Sequence, residues 1–228
     1  MEKSELIVKD RQLVIPGEVL AKGLDFLPSS GTYRTDGEIK SKVLGLIKLK
    51  EKFITVVPLA GVYIPRPGDR IIGTIEDMQS TFWIVDLNSP YDAILPLSEG
   101  VAEFVDLSKA DISVYFDIND IIYAKVLNVS KTKSVSLTMN DYRAKKLTGG
   151  RLLTITSSKV PRLIGKEGSM IELIKSKTEC NIVIGQNGVV WLKGGKEGLA
   201  AEAVLMIERE YRTSGLTDKV AKLLEKGE

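Results

Sequence analysis

The sequence predicts three small domains in series: an all-β module, a five-stranded β-barrel, and an α+β domain with the element order βααββα. Three observations carry this. Up to residue 147 the chain is a succession of short β-rich runs punctuated by turn residues. Turn-forming residues gather at two places where the texture changes, around Pro65, Pro67 and Gly68 and at Gly149-Gly150. Beyond the second, apolar residues such as Leu199, Ala203 and Ile207 recur at helical spacing. The domains expected are therefore residues 1–63, 64–147 and 148–228.

Composition narrows the chemistry. Hydrophobic residues at 43% and charged residues at 27% of 228 describe a soluble globular protein. No apolar run approaches the roughly 18 residues of a membrane span. The opening MEKSELIVKDRQLVIPGE scatters charge where a secretion signal would be apolar. Cys180 is the only cysteine, which excludes an intramolecular disulfide and fits a reducing, cytoplasmic setting. Histidine is absent, and with it the usual general base, the usual metal ligand and the commonest triads. One cysteine without histidine cannot build an ordinary zinc site, and the carboxylates show no motif spacing. No enzymatic activity, metal or cofactor is expected. The net charge is only +2. By segment, 1–63 has 10 basic and 8 acidic residues, 64–147 has 9 and 12, and 148–228 has 13 and 10. Nucleic-acid binding would therefore depend on local patches.

In the first segment LVIPGEVL turns at Pro16-Gly17, and KVLGLIKLKEKFITVVPL reads as a hairpin, Val43–Leu49 and Phe53–Val57 flanking Lys50-Glu51-Lys52. The second segment has five β-runs, Arg70–Ile75, Phe82–Leu87, Ala93–Leu97, Ile121–Val129 and Ser134–Met139. The irregular or partly helical SEGVAEFVDLSKADISVYFD separates the third from the fourth. Five strands with an insertion after the third are the element order of an OB-type barrel, a fold that presents one face and its loops to oligonucleotides.

PGDRIIGTI, DLNSPYDAILPLSE and FDINDIIYAKVLNVSKTKSVSLTM together make this segment resemble the S1 RNA-binding domain. It departs from that pattern at Pro96, where many S1 domains have histidine, and in the spacing of its aromatic pair, Phe82 and Trp83. These rings either stack on bases or pack in the core. Lys131 and Lys133, in the turn of the closing hairpin, are candidates for phosphate contact; a solvated turn is the competing reading.

The third segment contains two Gly-x-x-Gly tetrapeptides. Gly165-Lys166-Glu167-Gly168 lies between two predicted helices, so that backbone N–H groups and a helix N-terminus face a common space suited to an anion. Glycine at both ends removes the side chains that would hold a sugar-phosphate backbone away. Lys166 adds charge at the tip, with Arg162 and Lys159 upstream. A strand, a helix, Ile-Gly-x-x-Gly and a second helix form the pattern of a KH domain of type I, whose loop clamps about four single-stranded nucleotides. The resemblance implies RNA contact by Arg162, Ile164, Gly165, Lys166, Glu167, Gly168 and Ser169. Glu167 also has a structural reading, stabilising the first turn of its helix. The second tetrapeptide, Gly185-Gln186-Asn187-Gly188, lies between two β-branched runs. Asn187-Gly188 is predicted to form a two-residue hairpin turn that needs no ligand.

Over its full length the chain resembles the S1/KH cap subunits of the archaeal RNA exosome. VIPGEVL and GTYRTDGEI are similar to signatures of their N-terminal domain, and GQNG to an element at their S1–KH contact. The resemblance implies a non-catalytic subunit, present in three copies on an RNase PH-like ring, that captures single-stranded RNA and guides its 3′ end into the pore for degradation. The alternative is a free-standing S1/KH RNA chaperone or a transcription elongation or translation factor.

Overall fold

The computed structural model of the chain describes residues 4–101 and 112–226. It divides into two compact units, Met1–Gly61 and Val62–Glu228.

The first unit is built from two four-stranded sheets. One has the order β1 (Glu5–Leu6), β3 (Val19–Lys22), β6 (Glu38–Ser41), β5 (Thr32–Thr35), and the other β2 (Leu13–Val14), β7 (Gly45–Lys50), β8 (Phe53–Pro58), β4 (Leu27–Pro28). Leu20, Ala21 and Ile39 from one and Val14, Ile47, Ile54 and Val56 from the other form its core. The predicted hairpin is β7–β8. Lys50 pairs with Phe53, so Glu51-Lys52 is the turn, and Glu51 takes the left-handed φ of 54° that a tight turn needs. The outer face of the second sheet carries two apolar rows beside Lys48 and Lys50. Leu13, Leu46 and Val57 are cross-strand neighbours in one row, Leu27 and Phe53 in another, and all five are exposed.

The second unit begins with the barrel. Strands β9 (Arg70–Gln79), β10 (Phe82–Asp86), β11 (Ala93–Pro96), β12 (Ile121–Val129) and β13 (Val135–Thr138) close through the β12–β13 pairing. Closure leaves the five without free edges. A sixth strand, β14 (Lys145–Leu147), takes the part of the β12 edge that β13 does not reach. Of the irregular segment expected between the third and fourth strands, residues 102–111 lie outside the described residues. Its flanks form α1 (Leu97–Gly100) and a 3-10 turn at Ile112–Val114.

The third segment has the order β15 (Arg151–Thr154), α2 (Val160–Ile164), α3 (Ser169–Thr178), β16 (Asn181–Ile184), β17 (Val189–Lys193), α4 (Glu197–Arg209). Its antiparallel sheet runs β15-β17-β16. This is the predicted KH arrangement. One helix was not predicted: α5 (Leu216–Lys226) buries Leu216, Val220 and Leu224 in the same core as α3 and α4.

The run VVWL in β17 has a physical reason. It is a central strand covered on both sides, which favours continuous apolar sequence. Val190 and Leu192 face the helices, whereas Val189 and Trp191 pack on Ile72 and Leu147 of the barrel. Ile72 obeys the same parity: Ile71 and Ile75 point into the barrel, and Ile72 points out, beneath the KH sheet. Each such burial contributes about 2 kcal/mol, so barrel and KH domain share one continuous seam.

Candidate nucleic-acid interface

The Gly-x-x-Gly loop is held from below and open above. Val160 and Leu163 anchor α2, with Pro161 in its first turn; Met170, Ile171 and Ile174 anchor α3. Gly165 ends α2 at φ 78° and ψ 177°, and its amide donates to the Pro161 carbonyl at 3.0 Å. Lys166-Glu167-Gly168 forms a single 3-10 turn with Glu167 in left-handed geometry, and the left-handed Gly168 is the N-cap of α3. The two glycines differ in what they permit. A Cβ on Gly165 would sit 2.7 Å from the Met170 nitrogen, so the turn itself demands glycine there. A Cβ on Gly168 would meet only Ile171, at 4.0 Å. The space above Gly168 is open, next to the positive end of α3. Lys166, Glu167 and Ser169 are exposed, and Ile164 leaves 37% of its surface uncovered beside them.

The upstream cations are engaged elsewhere. Arg162 is exposed but donates to the Thr213 carbonyl at 3.3 Å. Lys159 reaches Glu208 at 3.5 Å and lies 5.1 Å from the Tyr211 ring centroid. Burial pushes the Glu208 carboxyl up, but hydrogen bonds from the Thr156 amide and hydroxyl, with Lys159 nearby, outweigh this and hold it below the usual range.

In the barrel, the structure overturns the stacking option for Trp83. Its side chain is fully buried, donates through Nε1 to the Phe116 carbonyl at 3.0 Å, and meets the Phe116 ring edge-on at 5.1 Å. Trp83, Val85 and Leu87 form one inward-facing set, which puts Phe82 on the other face, half-buried. Lys131 and Lys133 are exposed in the β12–β13 turn, Lys133 at φ 69°. Phe82 and these lysines do not converge: Phe82 pairs with Pro96 at one end of β11, and the turn leads into Val135, which pairs with Ala93 at the other.

The second tetrapeptide differs from its expected geometry. Only Gly188 has a positive φ, 87°, so Asn187-Gly188 is not a two-residue turn. The Gly188 amide donates to the Gly185 carbonyl at 3.1 Å and the Gly185 amide to the Val189 carbonyl at 2.8 Å, a four-residue turn closing on a left-handed glycine. The longer turn frees Asn187 to point inward. Its Nδ2 donates to the Ile72 and Leu87 carbonyls at 2.7 and 2.9 Å, and its Oδ1 accepts from the Ile72 amide at 3.3 Å. The Gln186 amide donates to the Arg70 carbonyl, and its Oε1 accepts from the Arg70 amide. The turn is thus a polar plug in the barrel wall. Asn187→Ala is expected to destabilise the chain by about 2–3 kcal/mol in urea unfolding, because three buried backbone groups lose their partner and entering water only partly replaces it.

Among the described residues, no three acidic or cysteine side chains come together as a metal-binding group, and no helix is long and apolar enough to cross a membrane.

Comparison with known proteins agrees with this anatomy. Residues 11–60 match the family described as the exosome RNA-binding protein RRP4 N-terminal domain, 62–128 the RRP4 S1 domain, and 150–198 the KH domain. An exosome complex component Rrp4 of Methanothermus fervidus is 45% identical over 221 residues, covering 96% of this chain and 97% of its own. The Thermococcus kodakarensis protein of the same name is 46% identical over 225 residues, 96% of this chain and 87% of its own. A crystal structure described as an exosome complex RNA-binding protein superposes with a TM-score of 0.68 at 34% identity, over 73% of this chain and 97% of its own. With barrel, KH domain and N-terminal module each matched in order, the chain belongs to the Rrp4 family of exosome complex components.

Proposed function

We propose that the chain is a non-catalytic, cytoplasmic cap subunit of an exosome, with working domains 1–63, 64–147 and 148–228. In this reading three copies sit on an RNase PH-like ring, their barrels surround its pore, and each captures single-stranded RNA and passes the 3′ end inward. The observation that carries it is the Gly-x-x-Gly loop: exposed, open over Gly168, flanked by Lys166 and a partly uncovered Ile164. The exposed apolar rows of the first unit, Leu13–Leu46–Val57 and Leu27–Phe53, supply a docking face for the ring. Purification from native extract is expected to bring an RNase PH-like pair down with the chain.

The test of RNA capture is a titration of the purified chain with single-stranded RNA. Contact with about three to four phosphates gives a slope of log K against log salt of about −2 to −3. Changing Lys166 and Glu167 both to Asp is expected to weaken binding about five- to tenfold near 0.1 M salt, by placing two carboxylates against a phosphate. The melting curve should not move, since both side chains are exposed and Asp tolerates the left-handed geometry at 167. Wild-type affinity in that variant, or a salt slope near zero in the parent chain, contradicts the proposal.

A further inference from the structure

The barrel segment is acidic on balance, with 9 basic and 12 acidic residues in 64–147. Its cations are unevenly placed. Arg70, Lys125 and Arg143 gather where the Asn187 turn meets the barrel, around a single aromatic ring. Asp141 organises them. It accepts from Arg70 Nε at 3.3 Å and Nη2 at 3.1 Å, lies 3.8 Å from Lys125 Nζ, and accepts the Arg143 amide at 3.1 Å. Its side chain is only 8% exposed. Arg70 and Lys125 are direct cross-strand partners, and the Arg70 main chain is clamped to Gln186 on both sides. Both guanidiniums lie over the Tyr142 ring, at 5.6 Å for Arg70 and 5.1 Å for Arg143, yet Tyr142 is 81% exposed.

One carboxylate offsets one of three cations, so a net positive charge surrounds an open ring. The Arg70 fork on Asp141 fixes that guanidinium in advance, which lowers the entropy lost when a ligand arrives. The Arg70 bond, followed by the Arg143 amide, holds the Asp141 carboxyl below its usual range, keeping the frame charged. Lys145, cross-strand from Tyr123 on the same face as Lys125, extends the positive edge.

We propose that Tyr142, with Arg70, Lys125 and Arg143, forms a second contact for single-stranded RNA, a base stacking on the ring and the adjoining phosphates lying against the cations. This rests on the reading of the chain as an RNA-binding subunit. Stacking on an exposed aromatic is sequence-tolerant because every base has a π-face, and arginine planes beside it accept the same geometry. The turn that contacts Arg70 through Gln186 also accepts the Ile155 amide at the Gly188 carbonyl, and the Ser157–Lys159 3-10 turn and α2 (Val160–Ile164) lead from Ile155 to Gly165.

The experiment is an anisotropy titration of the full chain with a fluorescent oligouridylate of about 20 nucleotides. Stacking energies predict that Tyr142→Ala weakens binding about five- to tenfold, whereas Tyr142→Phe, which keeps the ring, stays within about twofold of wild type. Arg143→Gln should reduce the magnitude of the salt slope by about 0.7. Thermal melts should be unchanged throughout, since both side chains are exposed. Wild-type affinity in Tyr142→Ala, or equal loss in Tyr142→Phe, overturns the second contact. If the Lys166/Glu167 variant loses affinity and Tyr142→Ala does not, the KH-loop reading stands and this site falls alone. If the parent chain binds no RNA, both fall.

Discussion

Gly188→Val is expected to cost about 2–6 kcal/mol in urea unfolding and to lower the melting temperature accordingly. Two effects add. Gly188 has φ 87°, a region in which a β-branched residue is strained by about 1–3 kcal/mol. A Cβ there would also clash with the Ile155 carbonyl oxygen, with the Ser157 nitrogen 3.2 Å away, so the end of β15 must move off the hairpin. Forcing atoms into a packed site adds about 1–3 kcal/mol. RNA binding should be lost only in proportion to folded protein. Gly168→Ala provides the contrast. Its φ of 85° is similar but the space is open, so it should cost about 1 kcal/mol while reducing affinity directly. Equal destabilisation by the two changes would refute the different roles assigned to these glycines.

Trp83→Ala should cost about 4–5 kcal/mol. A fully buried aromatic typically costs 3–5 kcal/mol on truncation to Ala. Here the Phe116 carbonyl also loses its donor, and the Phe116 ring its edge-on partner. The Gly100 backbone lies against the same indole, with its Cβ direction 2.8 Å from the ring, so little can collapse into the gap. The measurement is a denaturation curve beside that of Phe82→Ala, which removes a half-buried ring and should cost markedly less. A Trp83 variant as stable as wild type but weak in RNA binding would restore the stacking role rejected here.

The Trp83 result shows how far local pattern reaches. The run Phe82-Trp83-Ile84 is apolar at three consecutive positions, so taken alone it gives no parity. The signal was two residues further on: Val85 and Leu87 continue the Trp83 set, and Phe82 pairs with the Asp86 side of the alternation. The barrel strands and the βααββα order were legible because each run is bounded by turn residues and keeps one period. Helix α5 was also legible in principle, since Leu216, Val220 and Leu224 stand four apart; it reads as a tail only if the pattern is stopped at Gly215. The Gly-x-x-Gly loop was visible because its two glycines and flanking helices are contiguous. Asn187 was not legible from spacing, since the groups it satisfies belong to Ile72 and Leu87; the resemblance of GQNG to an element at an S1–KH contact was what pointed there. Spacing is equally silent on Tyr142, whose ring acquires its cations from Arg70 in one strand and Arg143 beside it.

The bonds from Asn187 to Ile72 join residues 115 positions apart, and this has a consequence for the order in which the chain is made. A ribosome delivers the barrel strands before the turn that plugs their wall exists. During that interval the Ile72 and Leu87 main-chain groups, and the apolar face that the KH sheet will cover, have only water beside them. Contacts so distant in sequence form late and slow the approach to the native state, and exposed strand surface in a waiting intermediate is where misassociation begins. Chains released before residue 187 should therefore be caught by chaperones more often than chains released just after residue 193.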